Sequence, residues 1–339
     1  MKTFFKRFVF LGVFLSIAMS FVACQSQVKE PSAYWSNDYE ETREKAAKEN
    51  KNILIFFSGE DWDTYSTGLK DSIFYTKDFV DNLSKEYELV HLDFSESLYS
   101  QAEVAEDATE EEKAKAEELQ AKLIEDTTVA NNFLVNSMPT VLLVSPAGYV
   151  YGAIPYDESV TTVAQYVEQI NGYKEAGEKV ASLTKELETK TGVDKIAVID
   201  SLFETVLPSH QSLLRDLAAE VPSLDPDNVS GRRGEYEVIN AYNKSYEAIM
   251  GMDVLGAVDI LLEPIDSGYL TTAQKQELYY QAAYFYYMLG ADYSENMMSL
   301  LKTGYNLDPA SEIATTIKMT MDQLQAIMDA EKTNTGDEN

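Results

Sequence analysis

The sequence predicts an α/β domain followed by an all-α domain built from helical hairpins. Three observations carry this. Between residues 33 and 172, short apolar runs of strand character alternate with stretches of helical periodicity. From residue 173 onward strand-like runs cease, and apolar residues recur at helical spacing, as in Val180, Leu183 and Leu187. The chain has 339 residues and is 45% hydrophobic, which suits about two packed domains.

Taken in order, the first element is a leader. Lys2, Lys6 and Arg7 precede the apolar run Phe8 to Ala23, which is short for a membrane span, so residues 1–23 read as a signal peptide. The run ends Ser20-Phe21-Val22-Ala23-Cys24, which resembles a bacterial lipobox, with Phe21 where Leu is commoner. That resemblance implies lipidation of Cys24 and anchoring in the bacterial cell envelope, facing the periplasm or the cell exterior. A plain secretory leader or an uncleaved anchor are the alternatives. Two or more acyl chains give stable membrane attachment. Residues 24–32 then form a tether. Cys24 is the sole cysteine, so the chain forms no internal disulfide and, once lipidated, carries no thiolate nucleophile. The formal net charge is −30. Such a surface repels phosphates and anionic lipids, which argues against nucleic acid as a partner and leaves the lipid anchor as the membrane contact.

In the first domain, Trp35 to Asn50 reads as a helix with Tyr39, Ala46 and Ala47 inward. Ile53–Phe57 is a continuous apolar run, suited to a strand covered on both faces. Ser58–Asp61 is the loop at its end. Trp62 to Leu83 is mostly helical, burying Leu69, Ile73, Phe74, Phe79 and Leu83. Tyr87–Phe94 is a strand, Thr127–Asn136 a helix and Pro139–Val144 a third strand. Pro146-Ala147-Gly148 turns that strand into Tyr149–Ile154, and Val160–Ile170 closes the domain as an amphipathic helix. Residues 100–126, rich in Ala, Glu and Lys, read as a solvated, mobile, acidic helical insertion.

The stretch Trp35 … Phe57 … Trp62 … Leu92-Asp93-Phe94 … Phe133-Leu134-Val135-Asn136-Ser137-Met138-Pro139-Thr140 … Gly148 resembles the thioredoxin-like domains of bacterial envelope proteins over residues 33–172. In that family a Cys-x-x-Cys motif follows the Trp; here the two positions hold Asp63 and Ser66. The resemblance implies a thioredoxin-like fold and a cis-Pro139 facing the Trp62 loop. It also implies a peptide-docking surface made of Trp62, Asp63, Tyr65, Ser66, Met138 and Pro139. It does not imply thiol–disulfide oxidoreductase activity, because the attacking and resolving thiols are both absent. Asp63 also suits a helix N-cap, where a carboxylate contributes about 1 kcal/mol.

Residues 173–330 read as helices near 174–190, 194–207, 209–220, 232–250, 253–263, 271–289, 293–306 and 310–330, with 331–339 a disordered tail. Tyr246 … Gly251-Met252-Asp253 recurs 39 residues later as Phe285 … Gly290-Ala291-Asp292, and the two units end Leu262-Glu263-Pro264 and Leu307-Asp308-Pro309. This pattern resembles degenerate TPR-like repeats. The run Leu278 to Met288 is so aromatic that it covers more than one helical face, and part of it is expected at the surface.

No Walker A, Gly-x-Ser-x-Gly or His-Glu-x-x-His pattern occurs. Asp61-Trp62-Asp63 opens like a calcium loop and then fails, with Tyr65 at a ligand position and Ser66 at the turn Gly. No metal or cofactor is therefore expected. His91, on a strand, reads as a structural histidine. The resulting expectation is a non-catalytic envelope lipoprotein that binds a protein or peptide, as a scaffold or in a chaperone-like role. The alternative is a thiol-independent enzyme or an accessory component of an envelope redox system.

Overall fold

The computed structural model describes residues 29–105 and 107–336; the leader, Cys24 and the start of the tether lie outside the described residues. A short strand β1 (Trp35–Ser36) precedes helix α1 (Tyr39–Glu49) and strand β2 (Asn52–Ser58). Helix α2 (Thr64–Leu69) runs on through a π-helical turn at Lys70–Phe74 and is followed by α3 (Lys77–Leu83) and β3 (Tyr87–Asp93). Helices α4 (Glu96–Ala102) and α5 (Glu110–Asn132) lead into the hairpin β4 (Thr140–Val144) and β5 (Val150–Ile154), and then α6 (Val163–Asn171). The sheet order is β1-β3-β2-β4-β5. β2 is parallel to β3 and antiparallel to β4, so the sheet is mixed. Gly148, at φ 88°, makes the turn before β5.

Every residue of β2 after Asn52 is buried, which explains its unbroken apolar run. Its side chains alternate between two cores. Ile53, Ile55 and Phe57 pack with Tyr39 and Ala46 of α1 and Val129 and Ala130 of α5. Leu54 and Phe56 pack with Phe79 of α3 and Tyr166 and Ile170 of α6. This is the thioredoxin-like α/β arrangement.

Three expected boundaries move, and one segment differs in its packing. The first helix starts at Tyr39, because Trp35 and Ser36 pair with Leu89 and Val90 and Asp38 caps the helix. The segment Trp62–Leu83 breaks where the Thr76 side chain caps α3 by accepting from Phe79 N–H. The helix expected at Thr127–Asn136 is the end of the longer α5, which stops at Asn132 before Leu134 turns left-handed at φ 53°. The acidic insertion is helical but packed, since Ala102, Ala116 and Leu123 are buried between α4 and α5 and a Thr109–Glu112 capping box starts α5.

The remainder is all-helical: α7 (Lys174–Leu187), α8 (Gly192–Thr205), a 3₁₀ segment at Pro208–Leu214, α9 (Arg215–Leu224), α10 (Arg233–Met250), α11 (Val254–Leu262), α12 (Thr272–Leu289), α13 (Ser294–Leu307) and α14 (Glu312–Gly336). The single helix expected at 209–220 is thus a 3₁₀ segment followed by α9. Residues 331–336, expected in a disordered tail, continue α14.

The two halves share a core. Val180, Leu183, Val198 and Leu202 of α7 and α8 pack with Leu143 and Tyr151 of the sheet. Gly177 of α7 lies so close to the Tyr151 ring that a Cβ there would stand 2.9 Å from it. Further cores then link α10 to α12 and α12 to α14, each helix packing on the next. Among the described residues no helix is long and apolar enough to cross a membrane.

Candidate functional site

The loop after β2 sits at the C-terminal ends of the parallel strands β2 and β3, where α/β folds usually bind ligands. Asp63 is the N-cap of α2. Its Oδ1 accepts from Tyr65 N–H at 3.3 Å and its Oδ2 from Ser66 N–H at 2.9 Å. Ser66 Oγ–H donates to the same Oδ2 at 2.5 Å and accepts from Gly59 N–H at 3.2 Å. Asp63 and Ser66, the two positions where the resemblance would place the cysteines, are bonded to each other, and Ser66 is fully buried.

Trp62 folds back over Gly59, where a Cβ would lie 2.2 Å from the indole, so only glycine fits beneath it. Its Nε1–H donates to Phe94 O at 2.9 Å, yet the side chain stays 51% exposed. Tyr65 is 45% exposed and packs on Tyr156, 39% exposed, with ring centroids 4.4 Å apart. Tyr65 Oη–H donates to Glu158 Oε1 at 3.2 Å. The Met138–Pro139 bond is cis. β4 joins β2 at Thr140, opposite Phe57, so Pro139 lies beside the strand end that feeds the Trp62 loop. Val141 pairs with Ile154, which puts Tyr156 level with Pro139. Met138 packs its side chain into the core on the α1 and α5 side of the sheet. Trp62, Tyr65, Tyr156 and Pro139 therefore share one edge of the domain. Tyr156 gave no signal in the sequence, because only strand register brings it there.

Beneath this loop is a polar cluster. Ser58 Oγ lies 2.7 Å from His91 Nε2 and 2.8 Å from Asp93 Oδ1, and Tyr75 Oη lies 2.8 Å from His91 Nδ1. Burial holds His91 down to about 4; nearby Asp93 opposes the shift and Lys70 adds to it, so the ring is neutral at neutral pH. An ionised carboxylate only accepts, so Ser58 donates to Asp93 and accepts from His91 Nε2–H. Nδ1 is then left to accept from Tyr75 Oη–H. Asp93 also accepts from Ser95 Oγ–H at 2.7 Å and from Glu60 N–H at 3.2 Å. Glu60 pairs with Lys70, and its other oxygen stands 3.7 Å from His91 Nε2. His91, read from the sequence as a structural histidine, is buried at the centre of this network. Glu60, Tyr75 and Asp93 were missed as its partners because they converge only through the fold.

A second concave surface lies in the helical region. A cavity of about 440 Å³ is lined by Tyr280, Tyr284, Tyr287, Tyr293, Met297 and Ile327, among others. The aromatic run of α12 divides as the sequence suggested: Leu278, Ala282 and Phe285 are core, while Tyr284 and Tyr287 are exposed.

Two family models match the chain. Residues 39–171 match a Thioredoxin-like domain, and residues 232–330 match a domain described as Uncharacterised protein C-terminal domain. An uncharacterized protein of Treponema pallidum (strain Nichols) is 23% identical over 258 residues, covering 76% of this chain and 80% of that protein. Among solved structures, DsbH Oxidoreductase is 21% identical with a TM-score of 0.28, covering 41% of this chain and 82% of that one.

Proposed function

We propose that this chain is a non-redox thioredoxin-fold protein that binds a protein or peptide at the bacterial envelope surface, tethered through lipid on Cys24. The observation that carries this reading is the contrast at one site. The positions of the missing thiols are closed into a helix cap, while Trp62, Tyr65 and Tyr156 stay exposed beside cis-Pro139. Exposed aromatic groups that cluster around a rigid edge are what protein recognition uses. The stacked helices α10 to α13 support a TPR-like extension of the binding surface, since such hairpins present concave faces. The fold supplies a scaffold and the sole cysteine lies outside the domain, so a dithiol cycle has no chemical basis within one chain.

The test is crosslinking and pull-down from native envelopes, with the full-length chain compared with a Trp62→Ala/Tyr65→Ala variant. A partner captured by the first and lost by the second is the expected result. Equal capture by both moves the binding surface to the helical region. Turnover in an insulin-reduction assay contradicts the non-redox reading outright. The hydrogen-bonded cluster around His91 favours a second reading, an enzyme that works without thiols.

A further inference from the structure

Outside the aromatic edge, the cluster beneath the loop has the makings of a metal site. Glu60, His91 and Asp93 each offer one ligand atom, and these atoms all lie within 4.8 Å of one another. That spacing lets a single ion reach all three after small side-chain rotations. The three groups come from rigid positions: His91 and Asp93 from β3, two residues apart and on the same side of the strand, and Glu60 from the loop at the end of β2.

Two more observations point the same way. The three residues line a cavity of about 290 Å³, walled also by Trp35, Tyr75, Lys122 and Asp126, which leaves room for an ion and its waters. The second shell is already built. Asp93 is held by Ser95 and the Glu60 N–H, and the far side of the His91 ring is held by Tyr75 Oη. Such partners orient the ligands of metal sites. The acidic chain also raises the local concentration of cations.

We propose that Glu60, His91 and Asp93 bind one divalent first-row transition-metal cation through His91 Nε2 and one oxygen from each carboxylate. Water fills the remaining positions. One imidazole and two carboxylates suit zinc or manganese better than calcium or magnesium, which take oxygen ligands alone. Three protein ligands leave the ion open to a further group. Binding at Nε2 replaces the proton that Ser58 Oγ accepts, so the Ser58 side chain turns away as the ion enters. The ring must then keep its proton on Nδ1 and donate it to Tyr75 Oη. Lys70, paired with Glu60, is the built-in competitor of the cation.

The chain has only two histidines, His91 and His210, which makes the test specific. The full-length chain is labelled with ¹⁵N-histidine, stripped with EDTA and titrated with zinc chloride. One equivalent is expected to switch His91 from the Nε2–H to the Nδ1–H tautomer and to leave His210 unmoved. Glu60→Gln and Asp93→Asn, which preserve shape, are each expected to weaken zinc binding about 10- to 100-fold with unchanged circular dichroism. Lys70→Met is expected to tighten it, a gain that damage to the fold cannot mimic. Static His91 resonances at one equivalent overturn the proposal. So does zinc binding by Glu60→Gln and Asp93→Asn with unaltered affinity.

Discussion

At the residue scale, Asp63 ties the loop after β2 to the helix that follows it. It caps α2 and receives the Ser66 hydroxyl. Asp63→Ala removes the cap and leaves a buried hydroxyl without its acceptor, so a loss of about 1 to 2 kcal/mol is expected in urea denaturation. The capping role was legible from the position of Asp63 before a helix. The burial of Ser66 was not, because nothing local distinguishes it from a polar residue in an exposed first turn. The histidines give a pH prediction. Burial lowers both, His91 to about 4 and His210 by an amount opposed by its bond to Phe133 O. With folded values below the unfolded 6.5, the unfolded chain takes up protons first. Both are neutral in either state above about pH 6.5, and stability is lost as pH falls below it; for His91 the loss is on the order of 3 kcal/mol by pH 4. Denaturant midpoints of the EDTA-treated chain should therefore fall steadily from pH 7 to 4.5. A flat profile contradicts the buried, neutral assignment.

At the element scale, β2 and its loop carry most of the argument. The unbroken run Ile53–Phe57 was readable as a doubly covered strand because nothing polar interrupts it. The break between α2 and α3 was not readable, since the residues at Tyr75 and Thr76 continue an acceptable helical pattern. Gly59→Ala forces a methyl group against the Trp62 indole. The expected outcome is displacement of Trp62 from its bond to Phe94 O, seen as a shift in tryptophan fluorescence, with weaker partner capture. Unaltered fluorescence contradicts the close packing. The insertion was visible by composition, but its packing was not. Ala116 and Leu123 bury small or isolated apolar surfaces that give little periodicity among the charges.

At the scale of the whole molecule, one core runs from the sheet into the first helices that follow the α/β domain. The sequence placed a boundary at 172/173 and the Thioredoxin-like match ends at residue 171, while α7 and α8 add to the core over Tyr151 and Leu143. A chain ending at residue 172 is expected to aggregate or to melt without cooperativity, whereas one ending after α8 should fold. Comparing their thermal melts checks this, and equal melts show that the core is not shared. Gly251 and Gly290, which the sequence marked as helix ends, do end α10 and α12. The net charge of −30 adds self-repulsion, so raising sodium chloride from 10 to 200 mM should raise the melting temperature. The long helix α5 joins these scales. Its 23 residues span about 35 Å, from the acidic start at Glu110 to a base beneath the sheet. Midway, Leu119, Lys122 and Leu123 form one wall of the His91 cavity. One helix thus runs from a strongly acidic, solvent-facing start to the wall of the chamber where the three candidate ligands meet.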